Sequence, residues 1–262
     1  MIFDKLKKLL FGSVVLVVTL SSLTYLVKQR ASFKEKINLL LQGKKDINYD
    51  YGSNEEKNKL WSKKILSGGY VLFFRHAERD KWIDVQMYDA LESELQEKNS
   101  NSFRFAENEY FEGAVCLNKR GKIQARAMGE VIKYSKLPIG YIASSPSCRA
   151  RQTANLVFGG YDELEKTLVH KGPYKEVGDR SGFLEKYIVN LPKSNGKNTI
   201  ISAHNGVIGH HLFPEKEQGK RKYLEEGGFY VLSINNKNEL ILEHEFHNFL
   251  DFSRQFYIRN HD

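Results

Sequence analysis

The chain has 262 residues, 41% of them hydrophobic and 12% aromatic, enough for one good-sized core plus an appendage. Its formal net charge is +8, but its Lys and Arg residues are spread without an aromatic-basic patch, which speaks against nucleic acid as a partner. Attraction to anionic lipid headgroups accounts for the charge more simply.

The appendage comes first. Residues 1–8 form a short basic tail with Lys5, Lys7 and Lys8, and residues 9–27, "LLFGSVVLVVTLSSLTYLV", contain no charged residue. A helix of that length, rising about 1.5 Å per residue, spans a hydrocarbon layer about 30 Å thick. No small-x-small cleavage site follows, so the segment reads as an uncleaved transmembrane anchor rather than a signal peptide. Lys5, Lys7 and Lys8 favour a cytoplasmic N-terminus, although Lys28, Arg30, Lys34 and Lys36 flank the other end. The expected product is a single-pass membrane protein with its main domain periplasmic or extracellular, the cytoplasmic face being the alternative. Residues 28–53 read as a polar linker, and residues 54–262 as the folded domain.

That domain opens with a short amphipathic helix, "NEEKNKLWSKKILSGG", with Leu60, Trp61, Ile65 and Leu66 on its apolar face and Gly68-Gly69 as its stop. Tyr70 to Phe74 is a predicted strand. A helix follows over Asn118 to Tyr134, with Ile123, Ala127 and Val131 on one face and Met128 and Ile132 beside them. Strand Gly140 to Ser144, a helix from about Arg149 to Phe158, strand Thr199 to Ala203, a helix start at Asn205-Gly206, and strands Phe229 to Ile234 and Glu239 to Phe246 complete the series. Alternating strands and helices imply an α/β three-layer sandwich, a largely parallel sheet with helices on both faces.

Polar residues stand at three strand exits: Arg75-His76, Ser144 to Arg149, and His204. If those strands are parallel, the three exits meet at one edge, where α/β folds bind ligands. Two histidines and two arginines converging there, with helix N-termini behind them, make a phosphate pocket in physical terms.

The ordered pieces "FFRHAER", "SSPSCRARQTA" and "ISAHNGVI" resemble the three signatures of the histidine phosphatase superfamily, with its phosphoglycerate-mutase-like fold. "LNKRGKIQARAMG" resembles the helix between the first two, and the resemblance runs from Leu60 to Ile234. It implies His76 as a nucleophile that forms a phosphohistidine, with Arg75, Arg149 and His204 gripping the phosphoryl oxygens and no metal or cofactor required. Arg149 rather than Arg151 aligns with the family's S-S-P-x-x-R-A pattern. The general acid that protonates the leaving alkoxide is placed by relatives after the second signature. "LVHKGPYKEVGDRSG" offers Glu176 first and Asp179 second, with Glu78 a third candidate and a substrate-binding residue. Asn205 stands where phytase-like relatives carry an acid.

The insertion over residues 79–115 is rich in acids and reads as a specificity lid or a solvated surface helix. Cys116 and Cys148 both fall at the pocket edge of a parallel layout. They are either a disulfide bracing the loop of Arg149, which needs an oxidising compartment, or two free thiols. "HEFH" at His244 to His247 lacks the helical i, i+4 spacing of a metalloprotease, so no metal site is expected. Three functions fit: a phosphomonoesterase for a small phosphorylated substrate or phosphorylated envelope glycan, a mutase-like phosphoryl-transfer relative, or a catalytically silent module binding a phosphate ligand.

Overall fold

The structure, a computed structural model, describes residues 52–80, 112–169, 177–208, 212 and 224–257, with backbone alone for 52–53, 114, 177–181 and 257. The proposed anchor at 9–27, most of the linker, the insertion from 81 to 111, and Glu176 lie outside the described residues. Among the described residues, no helix is long and apolar enough to cross a membrane.

In chain order the elements are α1 (Gly52–Ile65), β1 (Val71–Arg75), the single turn α2 (Glu112–Val115), α3 (Lys119–Ser135), β2 (Ile139–Ser144), α4 (Cys148–Phe158), β3 (Glu163–Leu164), a 3-10 turn (Lys166–Leu168), α5 (Val177–Asn190), β4 (Asn198–Ala203), β5 (Phe229–Ile234), β6 (Leu240–Phe246) and α6 (Phe249–Tyr257). The six strands form one sheet in the order β3-β2-β4-β1-β5-β6. Pairs β3-β2, β2-β4 and β4-β1 are parallel, whereas β5 runs antiparallel to both β1 and β6. The sheet is therefore mixed, with β5 alone reversed.

Strand alternation divides the core between two faces. Leu72 and Phe74 of β1 pack on one side with Ile65, Met128, Phe229, Phe246 and Phe252. Val71 and Phe73 pack on the other with Leu184, Ile188, Ile201 and Leu232. Helices α1, α3, α4 and α6 cover the first face and α5 the second, which gives the three layers. Burial on both faces explains why the strands read as continuous apolar runs.

Two helix faces differ from their expected ones. On α3 the buried stripe is Gly121, Ala125, Met128, Val131 and Ile132, while Ile123 is exposed. Ile123 lies two positions from Ala125, about 200° around the helix and so on the opposite side. A glycine decides the rotation: a Cβ at Gly129 would meet the Leu156 carbonyl oxygen at 2.7 Å, so this side must face α4. On α1, Trp61 and Ile65 are buried but Leu60 is exposed, because the sheet-facing side continues through Asn58 and Ser62. Asn58 accepts from His244 Nε2 at 2.8 Å, and Trp61 stacks on that imidazole with ring centroids 6.1 Å apart. His244 is thus a half-buried group packed against α1, and among the described residues no cluster of three His, Cys, Asp or Glu is placed to hold a metal. Asn205-Gly206 forms a turn with Gly206 at φ 72° in place of the expected helix start.

Candidate active site

Because β2, β4 and β1 are adjacent and parallel, their C-terminal ends lie side by side. The register is explicit: Arg75 stands opposite Ala203, and Ser144 opposite Ser202. The ladders continue one residue past each strand, His76 N donating to Ala203 O (3.0 Å) and Ser145 N to Ser202 O (2.9 Å). Backbone pairing therefore delivers Arg75-His76, Ser145 to Arg149 and His204 to a common edge. The rings of His76 and His204 meet edge to face with centroids 5.2 Å apart.

His76 is almost fully buried, and its Nδ1 lies 2.7 Å from the Ala77 carbonyl oxygen. A carbonyl only accepts, so Nδ1 carries the proton and Nε2 keeps its lone pair. Burial, then the guanidinium charges of Arg149 and Arg75, push the His76 pKa well below the usual 6.5. The ring is neutral at physiological pH, as a nucleophile must be. Its carbonyl anchor is itself secured: Ala77 N donates to Thr153 Oγ1 at 2.9 Å, and that hydroxyl donates to Arg149 O at 2.8 Å. Thr153 on α4 thus locks the first signature to the second.

Arg149, in the first turn of α4, is 1% exposed and heads the largest fully buried side chains among the described residues. Its charge depresses the pKa values of both His76 and Arg75, so it lies near enough to both to act on them. Arg151, two positions on, donates through Nε to Pro146 O at 2.9 Å, steadying the loop before the helix. The N-terminus of α4, with Ser147 as its N-cap residue, adds a positive dipole end at the same edge. His204 Nε2 lies 3.0 Å from Ser145 Oγ and 3.1 Å from Ser147 Oγ. These two serines, both fully buried, orient the second histidine.

Cys116 and Cys148 are joined in a disulfide with Cα atoms 4.8 Å apart. Cys148 immediately precedes Arg149, so the bridge ties the start of α4 to the segment before α3. Leu117 N, donating to Gln152 Oε1 at 2.9 Å, adds a second tie.

Glu78 braces the chain as it leaves the pocket. Its carboxylate accepts from Arg120 Nη2 (2.7 Å) and Asn118 Nδ2 (3.1 Å), and its backbone N donates to Gln124 Oε1 (2.9 Å). A Cβ at Gly121 would sit 1.9 Å from the Glu78 carbonyl oxygen, so only glycine lets the two segments meet this closely. Asp179 lies on α5 with its backbone alone described. Asn205 donates through Nδ2 to Leu224 O at 2.8 Å.

Glu226 is the site residue that sequence reasoning missed. Arg75 Nη2 donates to its Oε1 at 2.7 Å, and both side chains are only 16% exposed. Since β5 runs antiparallel to β1, the residues just before β5 lie beside the end of β1. Arg75 N donates to Gly228 O (2.9 Å) and Gly227 N to His76 O (3.1 Å). The signal was the acidic pair before Gly227-Gly228, readable only once the direction of β5 is known.

Stability should fall on acidification. His76 has its folded pKa depressed, and burial lowers that of His244 to about 4. For each, the unfolded chain takes up protons below about 6.5 that the folded one refuses. This contribution is therefore complete above about pH 6.5 and is lost as pH falls towards 4. Thermal melts from pH 7.5 to 4 should show a falling midpoint, and His244→Gln should flatten the slope.

The sheet sets a buried neutral histidine and two guanidinium groups at adjacent strand exits, an arrangement that suits an anionic ligand. The family model described as the histidine phosphatase superfamily (branch 1) matches residues 108–170 of the chain. The match includes Arg149 but neither histidine. No curated protein matches the chain. Among solved structures, the chain resembles the protein histidine phosphatase SixA complexed with tungstate at 17% identity, covering 68% of this chain and 96% of that one, with a TM-score of 0.43. It resembles a mycobacterial glucosyl-3-phosphoglycerate phosphatase at 14% identity, covering 69% and 99%, TM-score 0.44. It also resembles a phosphoserine phosphatase from Entamoeba histolytica in complex with 3-phosphoglyceric acid, at 15% identity, covering 68% and 96%, TM-score 0.41.

Proposed function

We propose that the protein is a phosphomonoesterase working through a phosphohistidine on His76. The observation that carries the reading is the Nδ1 bond of His76 to Ala77 O at 2.7 Å, in a ring flanked by Arg75 and Arg149. That bond directs the free lone pair of Nε2 toward an incoming phosphorus. Nε2 attacks in line, the ester P–O bond breaks, and the leaving alkoxide takes a proton from a carboxylic acid, assigned here to Glu176. Arg75, Arg149 and His204 hold the equatorial oxygens, where charge spreads in the transition state. Water then attacks the phosphohistidine, restoring neutral His76 and releasing orthophosphate.

The full-length protein in detergent, given an aryl phosphate in the presence of a chelator, should turn it over and yield an acid-labile, base-stable phosphoryl adduct. Peptide mapping should place that adduct on His76. An adduct on another residue, or turnover without any adduct, would remove the mechanism.

The substrate class we infer is a small phosphorylated metabolite or a phosphorylated envelope glycan, met at a membrane to which residues 9–27 anchor the enzyme. A domain on the outer side of that membrane agrees with the Cys116–Cys148 disulfide, since such bonds persist in oxidising compartments. In intact cells both cysteines should resist alkylation until a reductant is added. Closing a loop of sequence separation 32 stabilises the fold by roughly 3–4 kcal/mol in chain-entropy terms. Reduction should accordingly lower the melting midpoint. Free thiols in untreated cells would place the domain in the cytoplasm.

A further inference from the structure

Arg75 is engaged on two sides by the protein itself. Nη1 donates to Leu224 O and Nη2 to Glu226 Oε1, the latter at 2.7 Å. The position of Glu226 is set by the main chain rather than by a free rotamer. Its carbonyl accepts from Gln124 Nε2 at 2.7 Å, and Leu224 O also accepts from Asn205 Nδ2 at 2.8 Å. The next residues cannot shift easily: Gly227 has φ 83°, and a Cβ at Gly228 would meet His247 O at 2.3 Å. Charge makes the arrangement consequential. Arg75 and Arg149 are like charges that repel in a desolvated pocket, and Glu226 is the strongest opposing charge on Arg75. A phosphoryl group that engages Arg75 must therefore take donors or potential from this carboxylate.

We propose that Glu226 is the resident counter-ion of Arg75: it positions the guanidinium between turnovers and limits how tightly the pocket retains orthophosphate, so that product leaves. The inference rests on the phosphatase reading and adds to it a positioning residue that tunes phosphate affinity.

The test compares orthophosphate and orthovanadate inhibition, KM and kcat for the full-length wild type, Glu226→Gln and Glu225→Gln. Glu226→Gln keeps an acceptor oxygen but loses the charge. It should bind orthophosphate about tenfold more tightly, as loss of one opposing charge at contact distance implies. KM should fall with it while kcat does not rise. Glu225→Gln, which removes a weaker opposing charge on Arg75, should tighten phosphate by clearly less than Glu226→Gln does. A merely structural Glu226 predicts the reverse sign, weaker phosphate with a lower melting point, and that result overturns the proposal. If Glu226→Gln does not fold, Glu226→Asp retracts the carboxylate by one methylene and should tighten phosphate about threefold. Unchanged or weaker binding there, or failure of both variants to fold, also overturns it. Calorimetry with orthophosphate separates the two readings. A wild type that neither binds phosphate nor hydrolyses any ester removes the phosphatase assignment, whereas one that does both, with variants no tighter, removes only the role of Glu226.

Discussion

His76→Ala is expected to lower kcat by about 10³-fold or more while leaving the protein folded and able to bind orthophosphate. The loss is large because no other group on the described pocket edge combines a free lone pair with such an environment. His204 is its nearest aromatic neighbour, but its Nε2 is occupied by the hydroxyls of Ser145 and Ser147. Folding should survive because the bonds that shape the loop belong to the backbone: His76 N to Ala203 O and Gly227 N to His76 O persist without the ring. The vacated volume is polar and adjoins the Arg75 guanidinium, whose side chain is still 16% exposed, so water can fill it. The variant should also titrate differently, losing the part of the acid sensitivity below about pH 6.5 that comes from the depressed His76 pKa. Steady-state turnover, phosphate calorimetry and pH-dependent melts on one preparation check all three. Retention of more than about one hundredth of the activity would assign the nucleophile elsewhere.

Arg149→Met should separate activity from stability. Removing one preorganised donor from the phosphoryl oxygens costs about 10²- to 10³-fold in kcat. Stability should not fall in parallel, because Met fills similar space without burying a charge. Arg149 is 1% exposed and its charge acts on Arg75 in the same pocket, so the ligand-free wild type carries the repulsion of two desolvated guanidinium groups. The variant should melt at or above the wild-type midpoint without phosphate. Adding orthophosphate should raise the wild-type midpoint and leave that of the variant nearly unchanged, since stabilisation by a ligand requires binding to the folded state. A variant that melts well below wild type while retaining turnover would make Arg149 a packing residue instead.

The two arginines of α4 show how far sequence reasoning reaches. A signature pattern selected Arg149 over Arg151, but composition could not, because both are arginines near one helix start. Two residues on a helix point about 200° apart, so once α4 packs on the sheet only one of them can enter the pocket. The same geometry misled on α3, where Ile123 satisfied a helical period and yet faces solvent. Several apolar stripes fit that sequence, and the contact of Gly129 with the Leu156 carbonyl selects among them.

By itself, the sequence determined the strand-helix alternation, the strand exits that bear Arg75-His76, Arg149 and His204, and an uncharged stretch at 9–27 long enough to span a membrane. Those signals are local: periodicity, turn residues and uninterrupted apolar runs depend on neighbours a few positions away. Only the tertiary structure decided that β5 runs against β1, that Glu226 therefore meets Arg75, and that Ser145 and Ser147 orient His204. It also brought Cys116 and Cys148, far apart in sequence, to bonding distance. The reason is physical. Pairing direction and register join segments more than a hundred residues apart, as Arg75 and Glu226 are, and the free energy that selects them comes from burial shared by the whole sheet, which no short window of sequence contains.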